Sequence, residues 1–295
     1  MNDVLWAVVI GMATAQLTIF VTTIYLHRSV THGALRLHPV MAFSCRTTIW
    51  LSSGIRPREW AGVHRRHHAA VDTVDDPHSP AVLGAWRVFF TNVLLYRTAA
   101  KNKVLVDRYT RDLPRDRWDR VVFDRETLGP LLGAGLLVAV FGWYIGLLAA
   151  AVHAVTYVGL NGAINSLGHV RGARPNDNSG TNGRILGAIT AGEGLHNNHH
   201  AGATAARLSW HRTEIDPGWW VIRTLTALRL CQVRHPGGLM PPRPPWASRT
   251  PSPPDLPGQP DQSVGRTCSS PRRARYQSVR SGNRRSIVPP STARH

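Results

Sequence analysis

Hydrophobic and polar positions divide the chain into long uncharged runs and shorter mixed stretches. Residues 4–26 carry no charged side chain over 23 positions, enough for a helix to cross a hydrocarbon core of about 30 Å. The uncharged run from Leu128 to His169 is about twice what one span requires. Gly142 and Gly146 near its middle suit a tight connection, so the pattern predicts antiparallel spans at 128–146 and 148–168. Residues 39–55 are apolar but short and contain Arg46, which predicts an interfacial or half-buried helix. Between Asp75 and Arg125 apolar and charged positions mix, with Trp86, Phe89, Phe90, Leu94 and Leu95 at near-helical spacing. That spacing predicts amphipathic helices, either lying on the membrane face or packed into a cap upon it. Beyond Pro236 the chain turns to Pro, Arg and Ser, a composition that predicts a disordered tail over 236–295.

Charge placement orients these pieces. Asp3 is the only charge ahead of the first run, whereas Arg28, Arg36, Arg56, Arg58, Arg65 and Arg66 follow it. The positive-inside rule then places residues 27–127 and 169–295 in the cytoplasm, with three spans and the N-terminus outside. Ala13-Thr14-Ala15 has the form of a signal-peptide cleavage site, but Met1-Asn2-Asp3 lacks the basic start, so a retained span is expected.

Composition changes this picture in one respect. The 295 residues carry a formal charge of +18, which by itself suggests an anionic partner such as nucleic acid, a membrane surface or a phosphorylated substrate. Ten Arg and two acids fall in residues 236–295, however, so +8 belongs to the tail and +10 to the body. The tail has no nucleic-acid-binding motif and no interleaved aromatics, so no nucleic acid is expected. A mean hydropathy of −0.17 averages an apolar body with a polar tail and excludes nothing. Three scattered cysteines, Cys45, Cys231 and Cys268, rule out a disulfide framework.

The fifteen histidines carry the chemistry. Eight of them fall in three boxes at predicted membrane boundaries: His27-Arg-Ser-Val-Thr-His32, His64-Arg-Arg-His67-His68 and His196-Asn-Asn-His199-His200, with His169 closing the last span. On an α-helix, positions i, i+3 and i+4 lie within about 100° of arc, so each HxxHH box is expected to offer three imidazoles to one point. In the first box the five-residue offset is about 140°, so His27 should end the span and His32 turn back from the exit loop. Neutral imidazole suits zinc, copper, iron or nickel. Nine such groups are enough for two metals with open positions, and no cysteine lies among them.

The order HxxxxH, HRxHH, NSxxH, HNxHH resembles the membrane-bound acyl-CoA desaturases, the family of stearoyl-CoA desaturase. Glu59-Trp60, Asp76-Pro77-His78-Ser79-Pro80, Gly192-Glu193-Gly194-Leu195 and Asp216-Pro217-Gly218-Trp219-Trp220 agree with it, and the likeness covers about residues 4–235. Short bacterial members with one span ahead of the first box are the most similar. The resemblance implies an all-α fold: an integral-membrane helical bundle over residues 1–235 with a cytoplasmic helical cap carrying a di-iron site, in a bacterial plasma membrane. It implies two iron ions held by His27, His32, His64, His67, His68, His169, His196, His199 and His200, with Asn165 reaching one metal through water. It implies an O2-dependent fatty acyl desaturase that places a cis double bond in an acyl chain, carried by CoA, and draws two electrons from an external donor. That donor would be a separate protein: a ferredoxin, a cytochrome b5-like protein or a reductase.

Several residues outside the boxes invite roles. Glu193 could orient a ligand histidine from behind or merely start a helix. Arg65 and Arg66 could meet the phosphates of an acyl carrier or snorkel to lipid headgroups. His78 suits hydrogen bonding better than ligation, His153 a satisfied place within the bundle, and His38 and His211 the surface. His235-Pro-Gly-Gly copies the haem-ligand motif of cytochrome b5 domains, but the residues after it lack a second internal histidine and a core. Two alternatives remain at this level. A hydroxylase of the same superfamily would share the boxes, and a membrane metal carrier would need polar groups along several spans.

Overall fold

A computed structural model describes residues 2–237; the expected disordered tail lies, from residue 238 on, outside the described residues. The first uncharged run folds as α1 (Asp3–Val21), started by Asn2, whose side chain accepts the Val4 N–H at 3.1 Å. Past Val21 the winding changes. Thr22–Thr31 forms a π-helix, with the His32 N–H bonded to the His27 carbonyl at 3.1 Å. The Thr31 hydroxyl supports the wide turn by donating to the Leu26 carbonyl at 2.7 Å. Such segments are rare and collect at functional sites.

A short strand follows, β1 (Leu35–Leu37), and it pairs antiparallel with β2 (Cys231–Val233) near the end of the described chain. This ribbon departs from the all-α expectation. Its cause is local: Leu35 and Leu37 are buried and Arg36 exposed, a period of two that three residues reveal only when the partner is known.

The expected interfacial helix is α2 (Pro39–Ser53), with Pro39 in its first turn and Gly54 ending it in the left-handed conformation. A Cβ on Gly54 would stand 2.0 Å from the Glu126 carbonyl oxygen. Gly54→Ala should therefore cost about 3 kcal/mol in strain and overlap, read as a lower thermal midpoint of the detergent-purified protein. An unchanged midpoint would contradict that account.

Next come α3 (Pro57–Ala69), which carries the second box, then α4 (Pro80–Leu83), α5 (Ala85–Lys101), α6 (Lys103–Tyr109) and a π turn at Asp119–Phe123. The long uncharged run breaks at Gly142 (φ 83°) into α7 (Leu128–Phe141) and α8 (Trp143–Val170). The break falls earlier than an even division, because Gly142 rather than Gly146 supplies the left-handed turn. The remaining helices are α9 (Arg184–Ile189), α10 (His196–Ala201), which holds the third box, and α11 (Pro217–Ala227).

Two stretches, Asp3–Thr31 and Trp143–Val170, are long and apolar enough to cross a membrane; α7 is equally apolar but has 14 residues. Small residues set the packing. Gly11 of α1 lies against Ala149 and Val152 of α8, Gly146 of α8 against Val138 of α7, and Gly129 against the Trp50 carbonyl of α2. Close backbone approach of this kind is how helices associate where no hydrophobic driving force separates them from lipid. The outward faces keep large apolar side chains in the open, among them Leu5, Val9, Met12, Leu131, Leu136, Val140 and Leu147. An exposed belt of that size fits lipid, not water. The α1–π segment and α8 run in the same direction, and both end at the histidines.

Candidate metal centre

The eight box histidines and His169 converge, and they do so as two sets. His27, His32, His64, His68 and His199 form one, His67, His169, His196 and His200 the other, with the ligand atoms of each set within 4.8 Å of one another. Each HxxHH box is thus divided, where one common point was expected. On a helix i and i+4 are about 40° apart, whereas i+3 falls about 60° to the other side of i. His64 and His68 accordingly face one set while His67 faces the next; on α10, His196 and His200 face one and His199 the other. His27 and His32 share a set for a different reason. The π-helix places residues i and i+5 on successive turns of one face, and their rings lie 4.8 Å apart. The expected 140° divergence assumed α-helical winding, which this segment does not have.

The first set has a definite shape. The Nε2 atoms of His27, His64, His68 and His199 close a ring with edges of 3.1, 3.0, 2.8 and 3.1 Å. One nitrogen offers one N–H or one lone pair, so a ring in which each faces two others is not a hydrogen-bond chain. A square with such edges has its corners about 2.1 Å from the centre, the usual metal–imidazole distance. The His32 ring stands 4.8 Å from those of His27, His68 and His199 and 5.1 Å from that of His64. Its buried Nε2 has no protein partner. This is a four-cornered base with a fifth imidazole over it. In the second set, His67, His200, His196 and His169 follow one another at 3.3, 3.1 and 3.1 Å, an open chain. Asn165 precedes His169 by one turn of α8 and lines the cavity beside His196.

Carboxylates fix the rings from behind. Nδ1–H of His27 donates to Glu193 at 2.8 Å, that of His67 to Asp76 at 2.9 Å, and that of His169 to Asp72 at 2.9 Å. An ionised carboxylate only accepts, so each contact assigns the proton to Nδ1 and leaves the Nε2 lone pair facing inward. Burial alone would raise the Asp72 and Asp76 carboxyls, but the imidazole hydrogen bonds hold both below their ordinary range. Burial, and then repulsion among neighbouring imidazoles, lowers His32, His64, His196 and His199 well below the usual histidine range. They are neutral near pH 7, the state in which imidazole binds metal.

Glu193 therefore reaches across to the first box instead of its own. Thr23 also donates to it, and Arg28 Nε lies 3.9 Å away. Arg28, 1% exposed, is held in turn by Asp216 at 2.9 Å and by the Ala191 and Ala206 carbonyls. Asp72, Arg28 and Asp216 were not singled out from the sequence as site residues. The signal for Asp72 was present as a second acid, four positions before Asp76, directly after a histidine box.

Arg65 is engaged within the protein. Its guanidinium donates to the Thr31, Val30 and Tyr109 carbonyls and takes Asp112 in a two-point pair at 2.6 and 2.9 Å, leaving no donor for a phosphate. Arg66 is half engaged, with the Asp75 carboxylate at 3.0 Å and the Asp75 carbonyl at 3.0 Å. His78 is buried and stacks on His67 at 4.5 Å. His153 bonds the Ser52 carbonyl at 2.9 Å through Nε2, but its buried Nδ1 has no partner, so it is satisfied at one nitrogen only. His38 and His211 are exposed.

A cavity of about 780 Å³ opens onto both sets. His27, His64 and His196 form part of its wall, Trp60 stacks on His64 with ring centroids 4.8 Å apart, and Ile19, Val63, Leu131 and Ile164 add apolar surface. Arg56, Arg97 and Lys101 also line it. The size is that of a site for one elongated small molecule.

Comparison with known proteins agrees with this geometry. The family model described as fatty acid desaturase matches residues 4–230. Icosanoyl-CoA 5-desaturase of Limnanthes douglasii is 32% identical over 237 residues, covering 77% of this chain and 64% of that protein. Delta-9 acyl-lipid desaturase 1 of Arabidopsis thaliana is 30% identical over 221 residues, covering 70% and 68%. Acyl-CoA C20 Delta5-desaturase of Anemone leveillei is 29% identical over 219 residues, covering 72% and 68%. The chain thus spans about two thirds of the length of these curated relatives.

Proposed function

Since the chain belongs to the fatty acid desaturase family, we propose that it is an O2-dependent acyl-CoA desaturase working at a histidine-held di-iron centre. The observation that carries the reading is the double convergence of nine imidazoles, three of them fixed by carboxylates, beside one cavity whose wall includes His27, His64 and His196. His27, His32, His64, His68 and His199 would hold one iron; His67, His169, His196 and His200 the other, with Asn165 assisting through water. When bound, the pair supplies O2 activation for the removal of two hydrogens from a saturated methylene pair, with two external electrons and two protons completing reduction of O2 to two waters. A nitrogen-only donor set suits iron among the imidazole-binding metals, and more than four nitrogens at the first centre argue against a closed tetrahedral zinc site.

The chain's own residues supply the rest. Glu193, Asp72 and Asp76 hold protons at Nδ1 and so keep the lone pairs inward. Trp60, Ile19, Val63 and Ile164 bound an apolar channel past the histidines that excludes water from an acyl chain. Lys101, exposed where it lines the cavity, is the cation there for an anionic carrier head, with Arg97, paired to Glu126, on the same wall. Residues 1–235 act as the desaturase domain, with α1, α7 and α8 as spans. The cap and the C-terminus face the cytoplasm of a bacterial plasma membrane, as the distribution of Arg implies. The electron donor is a separate protein. Relatives whose names specify acyl-CoA and acyl-lipid substrates both align with this chain, and the exposed Lys101 on the cavity wall supports an anionic carrier such as CoA.

Expression in a host without desaturases, followed by fatty-acid methyl ester analysis and iron determination, tests the proposal. A new cis-monoene with about two irons per chain is expected. A hydroxylated chain, or unchanged lipids and bound zinc in the presence of a competent donor, would overturn it.

A further inference from the structure

The β1–β2 ribbon and the ends of two helices build a second concavity, separate from the histidines, of about 430 Å³. Strand alternation creates it: Arg36 and Gln232 are register partners, both exposed and each flanked by less exposed residues, so their side chains stand side by side on one face. His38, which caps α2, and Thr226, on the last turn of α11, complete the wall with Arg229. Arg229 adopts the left-handed conformation (φ 60°) at the turn that leads α11 into β2. No acidic residue lines the concavity.

Arg28, Arg46, Arg58, Arg65, Arg66 and Arg97 reach carboxylates. Arg36 and Arg229 are among the described arginines that make no ion pair, and the concavity brings these two onto one wall. Two guanidiniums, an imidazole and an amide around a volume of this size make a donor-rich pocket for a phosphate.

The surroundings specify which phosphate. Large apolar side chains flank the pocket: Val40 (66% exposed), next to Pro39, and Phe43 on α2, and Leu228 (62% exposed), next to Arg229 just past α11. Phe43 continues the surface by an edge contact with Trp118 at 5.4 Å. A soluble anion would leave this apolar margin in water, whereas a phospholipid covers it with acyl chains while its headgroup meets the cations. We propose that the Arg36–Arg229 pocket binds the headgroup of an anionic phospholipid and so seats the cap on its membrane at a point away from the active cavity.

The test is native mass spectrometry of the full chain in a neutral detergent, titrated with phosphatidylglycerol or phosphatidylcholine. Phosphatidylglycerol should be retained in preference, and the R36Q/R229Q variant should lose about tenfold in its affinity while phosphatidylcholine retention stays the same. Both arginines are exposed and make no ion pair among the described residues, so the variant should keep the elution volume and thermal midpoint of the parent. R36K/R229K, which keeps the charge, should recover most of the binding. Equal retention of the two lipids, or equal phosphatidylglycerol binding by parent and R36Q/R229Q, would overturn the proposal. Displacement of the lipid by glycerol phosphate at equal concentration would overturn it too, by identifying a soluble phosphate as the ligand.

Discussion

Replacing His67 by Ala should abolish double-bond formation, by more than about 100-fold, and reduce bound iron from two to about one per chain. His67 belongs to the set of four, where loss of one ring leaves three nitrogens and breaks the chain of close contacts at His200. It is also the ring that Asp76 fixes and His78 stacks upon. His32→Ala should do less, about a tenfold loss, because the four-nitrogen ring of His27, His64, His68 and His199 stays closed beneath it. His38→Ala, at an exposed helix start, should change neither product nor iron. Methyl ester profiles and iron per chain for the three variants check the order. A His67→Ala protein that keeps two irons and its product would remove His67 from the centre.

The run-length of uncharged residues located α1 and the α7–α8 hairpin because a span leaves little choice of composition. It placed the turn between them loosely, since either Gly142 or Gly146 could have made it; the left-handed φ at Gly142 and the packing of Gly146 on Val138 separate two roles that look alike in sequence. The ribbon was beyond reach for another reason. Its strands are three residues each and about two hundred positions apart, so neither carries a pattern of its own.

The nine histidines could be read because spacing and resemblance agreed on them. Their grouping could not, because it depends on winding. Thr22–Thr31 reads as the end of an ordinary span, yet π winding is what brings His27 and His32 to one face. Division of the HxxHH boxes follows from angles that were available, but only a second centre beside the first shows which ring goes where. Charged residues were the hardest. Arg65 looks like a surface cation in sequence, and only the carbonyls of Val30, Thr31 and Tyr109 reveal that its donors are used. Asp72 looks like a loop residue until His169, 97 positions later, arrives to donate to it.

Asp76→Ala should weaken iron binding by about 10- to 100-fold although Asp76 touches no metal. Its carboxylate accepts three donors: the His67 Nδ1–H at 2.9 Å and the backbone N–H groups of Asp72 and His78, both at 3.0 Å. Removing it frees the His67 ring to turn and to move its proton to the nitrogen that should bind metal. It also strands the buried His78 N–H, at about 1–3 kcal/mol, and frees the half-buried N–H of Asp72, which is held at a left-handed φ of 56° in the same loop. The damage should therefore spread to His169 through Asp72. Asp76→Asn separates orientation from charge. Its amide oxygen still receives the His67 proton, while its NH2 must face one of the backbone donors, so affinity should fall between parent and Ala. Chelator competition measures the affinities, and the optical spectrum of the cobalt-loaded proteins reports ligand geometry independently of turnover. If Asp76→Ala lowers thermal stability but leaves both chelator competition and spectrum unchanged, Asp76 supports the loop and does not position the ligand.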